Sequence, residues 1–477
     1  MRPPLSIIRR KDRLELLRDR RLGLAVLLML ILSLAAVAAA VVRVSDQARD
    51  RAAATATEHQ SWLAQGARDP HSAAHFAQWT FRPVEGVALL DPGATPYAGS
   101  ATWLEAHARN PAAFRPIEDR ALVLDLGEFS AAWILQGLGP LLVFLLSAGL
   151  VARERERGTL RLMLASGGAP GRIVAGKATG LMVVIGVIAL PVLAAGALAA
   201  LASPGGLTGD QVLRLGLWMA VHLMWLGLAG LIGVVVSIRS RTTAGALVAL
   251  FALWVVATPL LPRAVASLAE AAHPTPAGAR FWQDAQTEIR EGFDGSGDQA
   301  ARTAALREAL MARHGVDRIE DLPVSFRGAS LDANERFGNR VFERRFDQLD
   351  AVYADQRAVM RWGAVAAPLI ALQNVSTALA GADNRHLRDF DRQAEIERQR
   401  VVNALNADLI RGGAADPAYR ADERLWAQFA PFEARPLPVA AALAEVWPDL
   451  LILAGWMVLA LLLLAASTGR LAREVSR

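Results

Sequence analysis

His71 and His75 stand four residues apart. On a helix both imidazoles would share one face, a spacing that suits a divalent metal ion. Asp69 and His107 are the side chains that could complete such a shell; capping and packing of a short helix is the plainer use of the same residues. His386, with Asp383 and Asp389, raises the same two readings, a metal or proton role against capping. His222 falls inside a long uncharged run. An ionisable group there serves a functional path, or sits as a neutral imidazole hydrogen-bonded between helices. Gly171, Gly176 and Lys177 nearly spell a phosphate-cradling loop, but that loop needs Ser or Thr after its Lys to hold Mg²⁺, and here the residue is Ala178. It also needs a preceding strand, whereas a short helix and a glycine-rich turn come first. Cysteine is absent, which removes disulfides, thiolate metal sites and cysteine nucleophiles.

The elements that must carry these residues follow from hydropathy. Hydrophobic residues make up 53% of the 477-residue chain and mean hydropathy is +0.28. The excess sits in six blocks without acidic or basic residues: 22–42, 130–151, 179–202, 215–237, 243–262 and 450–469. A helix needs about 20 apolar residues to cross the hydrocarbon layer. One central charge would cost about 2.5–3.5 kcal/mol on insertion. The expected fold is therefore an all-α polytopic membrane protein with six spans, rather than buried helices of a large soluble core. Pro140 and Pro191 should kink their spans. Gly227, Gly230 and Gly233 recur every third residue, which permits close helix packing.

Net charge is +5, nearly all of it from arginine. The basic residues flank the apolar blocks, a pattern of membrane topology and not of nucleic-acid binding. Arg2, Arg9, Arg10, Lys11, Arg13, Arg18, Arg20 and Arg21 precede the first block. Arg153, Arg155, Arg157, Arg161, Arg172 and Lys177 follow the second, Arg239 and Arg241 the fourth, and Arg470, Arg473 and Arg477 the last. Six spans put all four segments on one side. By the positive-inside rule that side is the cytoplasm, with both termini there and the long connections 43–129 and 263–449 outside. The weakly apolar stretch 362–382 would reverse the tail if it crossed. It is expected to be a helix of the second outer domain, lying on the membrane surface. The first block exceeds a signal-peptide core in length and reads as an uncleaved span. Residues 1–21, with Ile7, Ile8, Leu14, Leu16 and Leu17 among charges, read as an amphipathic interfacial helix, or else as a disordered basic leader.

In the first outer segment, 46–65 and 101–110 look helical, with a turn at Asp91, Pro92 and Gly93. The second is mostly helical. Apolar residues recur at helical spacing over 330–362 (Phe337, Val341, Phe342, Phe346, Leu349, Val352) and again over 391–409.

The loop 152–178 is the most informative. A charged helix end, Arg153 to Arg157, meets Gly158, which can redirect the chain. Thr159 can cap a new short helix. That helix would show Leu160, Leu162, Met163 and Leu164, a surface too apolar to leave in water. A partner groove or the bilayer interface would cover it.

Here the sequence resembles the ABC-2-type transporter permease family. The matching residues are Glu154, Arg155, Glu156, Gly158, Thr159 and Leu160, then Leu164 to Ser166, then Arg172, Ile173, Gly176 and Lys177 leading into the third span. Residues 17–21 resemble the family's elbow helix, and the resemblance covers all six spans in order. It implies that this loop is a coupling helix docked on a separate ATP-binding subunit. This chain would then be no enzyme and bind no cofactor itself; ATP and Mg²⁺ would sit on the partner subunit. A second copy, or a similar permease, would complete the transmembrane core in the bacterial inner membrane. His71, His75, Asp91, Pro92, Gly93, His107, Gln373, Asn374, Gly381, His386 and Phe390 lie in runs that resemble a subgroup with two large, mainly helical extracytoplasmic insertions. The resemblance leaves the cargo open. The rival reading is a membrane-anchored extracytoplasmic binding or sensory protein without an ATPase partner. A membrane-embedded transferase is weaker, since the spans share no acid–base constellation.

Overall fold

The computed structural model describes residues 20–475 apart from 77, 84–85, 116–128, 167 and 203–205, together with Leu14 and Arg18. Most of the expected elbow segment, 1–21, therefore lies outside the described residues.

Six helices among them are long and apolar enough to cross a membrane: α1 (Arg20–Leu63), α3 (Ala131–Glu156), α5 (Pro170–Leu201), α6 (Gly209–Arg239), α7 (Thr243–Ala272) and α14 (Val439–Val475). The chain is an all-α polytopic membrane protein. Local signals set the helix starts. Ser130 accepts from the Trp133 amide, Thr242 from the Gly245 amide, and Thr208 forms a capping box with Gln211. Pro191 is absorbed within α5, and a π turn at Ile134–Leu138 precedes Pro140 in α3.

The bundle centres on α6. Its Trp218, Leu226 and Val234 are fully buried, against Leu181, Val184 and Ile188 of α5 and Leu135 and Val143 of α3. Gly233 sits so near Ser147 that a Cβ there would overlap the serine hydroxyl, while a Cβ at Gly230 would meet Ile185 Cδ1 at 2.7 Å. The small residues thus set the approach of α6 to α3 and α5. α7 and α14 instead turn Val248, Phe251, Leu260, Leu451 and Leu462 outward, apolar faces that require lipid or another subunit.

Two expectations need correction. First, the stretch 362–382 is not one helix on a surface: Trp362 and Val365 are exposed, but 367–382 is mostly buried. α10 (Phe326–Ala366) gives way to α11 (Pro368–Ala380), whose Leu369, Ile370, Leu372, Val375 and Leu379 are buried in the bundle core against α6 and α14. Its 13 residues span roughly 20 Å at 1.5 Å each, too short to cross but long enough to plug in. Its polar groups find partners inside: Asn374 donates to Asp449 Oδ1 at 2.8 Å, and Ser376 bridges Trp218 and Asp91. Second, 101–104 is not helical. β2 (Ala101–Leu104) pairs antiparallel with β1 (Gln78–Phe81), and Trp79 faces Trp103 with ring centroids 5.0 Å apart. A cross-strand aromatic pair outweighs weak helical periodicity in so short a window.

The helical stretch 46–65 is no separate piece. Ala52, Ala53, Ala54 and Ala56 carry α1 unbroken from the first span to Leu63. At its tip Trp62 packs edge-on against Trp426 and Phe429, and its Nε1 donates to Trp426 O at 3.0 Å. Between them lie α2 (Pro70–Ala74), α8 (Gly278–Glu291), α9 (Gln299–His314), α12 (Asn384–Gly412) and α13 (Glu423–Trp426). The two long connections therefore share one core, in which Trp62, Ala73 and Ala106 meet Val402, Leu405 and Trp426.

Candidate functional site

α3 ends at Glu156. Gly158, with φ of 73°, turns the chain in the left-handed region, and α4 (Thr159–Ala165) follows before α5 begins at Pro170. A Cβ at Gly158 would meet nothing within 4 Å, so the backbone angle alone calls for glycine. Thr159 does not cap α4. It is the first residue of that helix, and its hydroxyl reaches back to Glu154 O at 3.2 Å.

α4 is amphipathic in a particular way. Leu160 and Leu164 are buried against the bundle and Met163 half-buried, while Leu162 is 70% exposed. Arg157, Arg161 and Arg172 are also exposed. The result is one projecting leucine on a basic surface.

The loop is welded to three neighbouring spans. Lys177 Nζ donates to Glu154 Oε1 at 2.9 Å, their side chains 2% and 13% exposed. Arg155 Nη1 donates to Ile238 O at 2.8 Å and Ser240 O at 2.6 Å, closing the carbonyl end of α6. The Thr243 hydroxyl donates to Glu156 Oε2 at 2.7 Å. Ser237 Oγ accepts from the Val151 and Ala152 amides and donates to Ala148 O at 2.7 Å, pinning α6 to α3 where the loop begins. Gly176 is buried beside Lys177, whereas Arg172 faces out. The phosphate-loop-like residues 171–177 are thus helical backbone, with the lysine already committed to a carboxylate.

His222 is fully buried in α6. Its Nδ1 faces Trp218 O at 2.8 Å and so carries the proton, leaving Nε2 to accept from Gln136 Nε2 at 3.2 Å. Gln136 lies in the π turn of α3, and its carbonyl accepts from Trp225 Nε1. With Trp218, Ser376 and Asp91 this makes a continuous polar column through the apolar core. Sequence reading missed its neighbour Arg214, whose guanidinium is fully buried. It bonds Asp210 Oδ2 at 2.7 Å, the carbonyls of Ala378 and Leu379 at the end of α11, and Leu437 O. Placed just outside an uncharged block, it gave no signal in sequence.

His71 and His75 do come together, with His107 as third member; their ring nitrogens lie within 4.8 Å of one another. Burial, then the neighbouring His107 and His75, lowers the His71 pKa. Asp69 stays outside the group. It caps the Ser72 amide at 2.9 Å and pairs with Arg327 at 2.6 Å. His386 is spoken for by Asp383, the N-cap of α12, and lies 3.5 Å from an Arg214 nitrogen, a poor neighbour for a metal ion. Asp389 accepts from Gln393 instead.

Residues 280–435 match a domain of unknown function, DUF3526. No curated protein matches the chain. Residues 6–314, more than half of the sequence, match the family described as ABC-2 family transporter protein. The welded loop and the six apolar helices agree with that match, and the chain belongs to the ABC-2 transporter family as a multi-pass, permease-type membrane component.

Proposed function

We propose that this chain is the membrane subunit of an ATP-driven transporter whose ATP is hydrolysed by a separate subunit docked on α4. One observation carries this reading: Leu162 projects from a short helix whose other leucines, and whose flanking Glu154, Arg155 and Lys177, are fixed to the spans. A bare leucine on a basic rim suits an apolar pocket with acidic edges on a soluble partner. Force applied there is delivered to α3, α5 and α6 together. ATP and Mg²⁺ belong to the partner, and a second permease, identical or similar, covers outward apolar faces of α7 and α14. Both termini and α4 lie in the cytoplasm of a bacterial cell, the protein sits in the inner membrane, and the two long connections form the extracytoplasmic part. The work done is export of a substrate or transmission of force to those connections.

The absence of native cysteine makes the test clean. A single cysteine at Ser166, on the exposed end of α4, should react with a membrane-impermeant maleimide only in inside-out vesicles. Co-expression with an ATP-binding subunit of the same transporter class should yield a complex. Labelling of Ser166→Cys in intact spheroplasts, or nucleotide hydrolysis by the isolated chain, would overturn the proposal.

A further inference from the structure

We propose that His71, His75 and His107 of the first long connection form a binding site for a borderline divalent transition-metal ion of the Zn²⁺ type, with Glu335 of the second connection behind it. Two segments converge on it. α2 supplies His71, its C-cap supplies His75, and the turn after β2 supplies His107. The ring centroids are 4.7 Å to 5.0 Å apart. A tetrahedral ion with Zn–N bonds of about 2.0–2.1 Å needs ligand nitrogens roughly 3.3–3.4 Å apart along each edge. His71 Nε2 and His75 Nε2 are 3.3 Å apart, and the third nitrogen lies within 4.8 Å.

The surroundings have the form of an outer coordination sphere. His107 Nδ1 contacts the Glu335 carboxylate of α10, whose side chain is 2% exposed. A carboxylate on the far nitrogen fixes the ring and raises its basicity as a ligand. This contact reaches from the first connection to the second. His71 is buried and its Nδ1 has no hydrogen-bond partner. His75 and His107 are exposed, so solvent or a donor from another molecule can reach the fourth position. Neutral nitrogen donors with no carboxylate in the inner shell favour Zn²⁺, Cu²⁺ or Ni²⁺ over Mg²⁺ or Ca²⁺.

The test uses the full chain in detergent, purified without a polyhistidine tag and stripped with a chelator. After addition of ZnCl₂ and gel filtration, one ion per chain should be retained, and CoCl₂ should give the visible absorption of a tetrahedral nitrogen site. His75→Ala alters an exposed side chain, so it should fold, elute normally and lose the ion; His107→Ala, which also takes the contact from the buried Glu335, should lose the ion as well, with its elution profile as the control for folding. Glu335→Gln, a positioning change, should keep the stoichiometry and weaken binding about 10–100-fold. Failure of the wild-type chain to retain zinc would sink the proposal. So would an unchanged cobalt spectrum in the His75→Ala/His107→Ala double variant.

Discussion

Truncating Leu162 to alanine should leave the permease intact and weaken its hold on the ATPase. The reasoning is local. Leu162 is 70% exposed, so its side chain contributes little to the folded chain. Complete burial of a leucine is worth about 1.5–3 kcal/mol. Covering the exposed part in a partner's pocket would then contribute roughly 1–2 kcal/mol to docking. Since about 1.4 kcal/mol is a tenfold change in affinity, Leu162→Ala should weaken association about 5- to 30-fold. Leu162→Asp, which also brings a carboxylate into an apolar pocket, should abolish it. Leu160→Ala is the counterpart: that side chain is 4% exposed, and its loss should cost about 2–5 kcal/mol of stability.

The assay titrates the soluble ATPase subunit onto the reconstituted permease, reading stimulated hydrolysis, with melting of the permease alone as control. Leu162→Ala should raise the half-saturating concentration without changing the plateau or the melt. Leu160→Ala should lower the melting temperature first. Equal affinity for wild type and Leu162→Asp, with normal melting of both, would mean that the leucine meets lipid and not a protein pocket.

Other substitutions probe the same structure. Gly158→Ala has open space for its Cβ but must hold a φ of 73°. It should cost about 1–2 kcal/mol, and Gly158→Asn less, in chemical denaturation and in coupled hydrolysis. In α6 a Cβ at Gly227 meets only Met182 Sδ at 3.7 Å, whereas one at Gly233 overlaps Ser147. Gly227→Ala should therefore be neutral or stabilising by up to about 1 kcal/mol, and Gly233→Ala should cost about 1–3 kcal/mol, measured by thermal melting. Lys177→Met takes the lysine partner from the Glu154 carboxylate. Full burial would make that cost about 3–5 kcal/mol, and the 13% exposure of Glu154 reduces it. Adding Glu154→Gln should restore most of the loss, and a double-mutant cycle with no coupling energy would contradict the pairing.

What the sequence could reveal was set by the range of the forces involved. A run of about 20 uncharged residues is decisive alone, because the bilayer penalises each charge regardless of its neighbours. The turn at Gly158 was equally legible, since charged helix, glycine and leucine-rich helix are adjacent. Arg214 was not, because apart from Asp210 the groups that hold it in the core are carbonyls at Ala378, Leu379 and Leu437, far along the chain. The same holds for α11: Asn374, Ser376 and Thr377 make it look half-polar until Asp449, Asp91 and Trp218 are placed beside it. His71 and His75 were visible by spacing. Their partner His107 was one of two candidates, beside Asp69, and nothing near it in sequence pointed to Glu335.

These long-range contacts have a common element. α6 is 31 residues without a proline, roughly 47 Å of straight helix at 1.5 Å per residue. Its last turns hold the loop, through Ser237 to α3 and through the Ile238 carbonyl to Arg155. Its middle is joined to the π turn of α3 by His222 and Gln136, and to α11 by Trp218 and Ser376. Its first turns grip the end of α11 through Arg214. Hydrogen bonds buried in so apolar a setting are costly to break without water to replace them, so α3, α6 and α11 should move as one body. α14 belongs to the same body: Asn374 of α11 donates to Asp449 Oδ1, Arg239 Nε to Ser467 Oγ, and the Val439 amide to Asp210 Oδ1. A push at α4 would then travel along α6 to α11 and α14 and on to α10 and α12. A disulfide engineered between α6 and α3, or between α6 and α14, should accordingly leave transport-coupled hydrolysis intact. Arrest by the α6–α3 disulfide would mean that the polar column is a hinge rather than a strut.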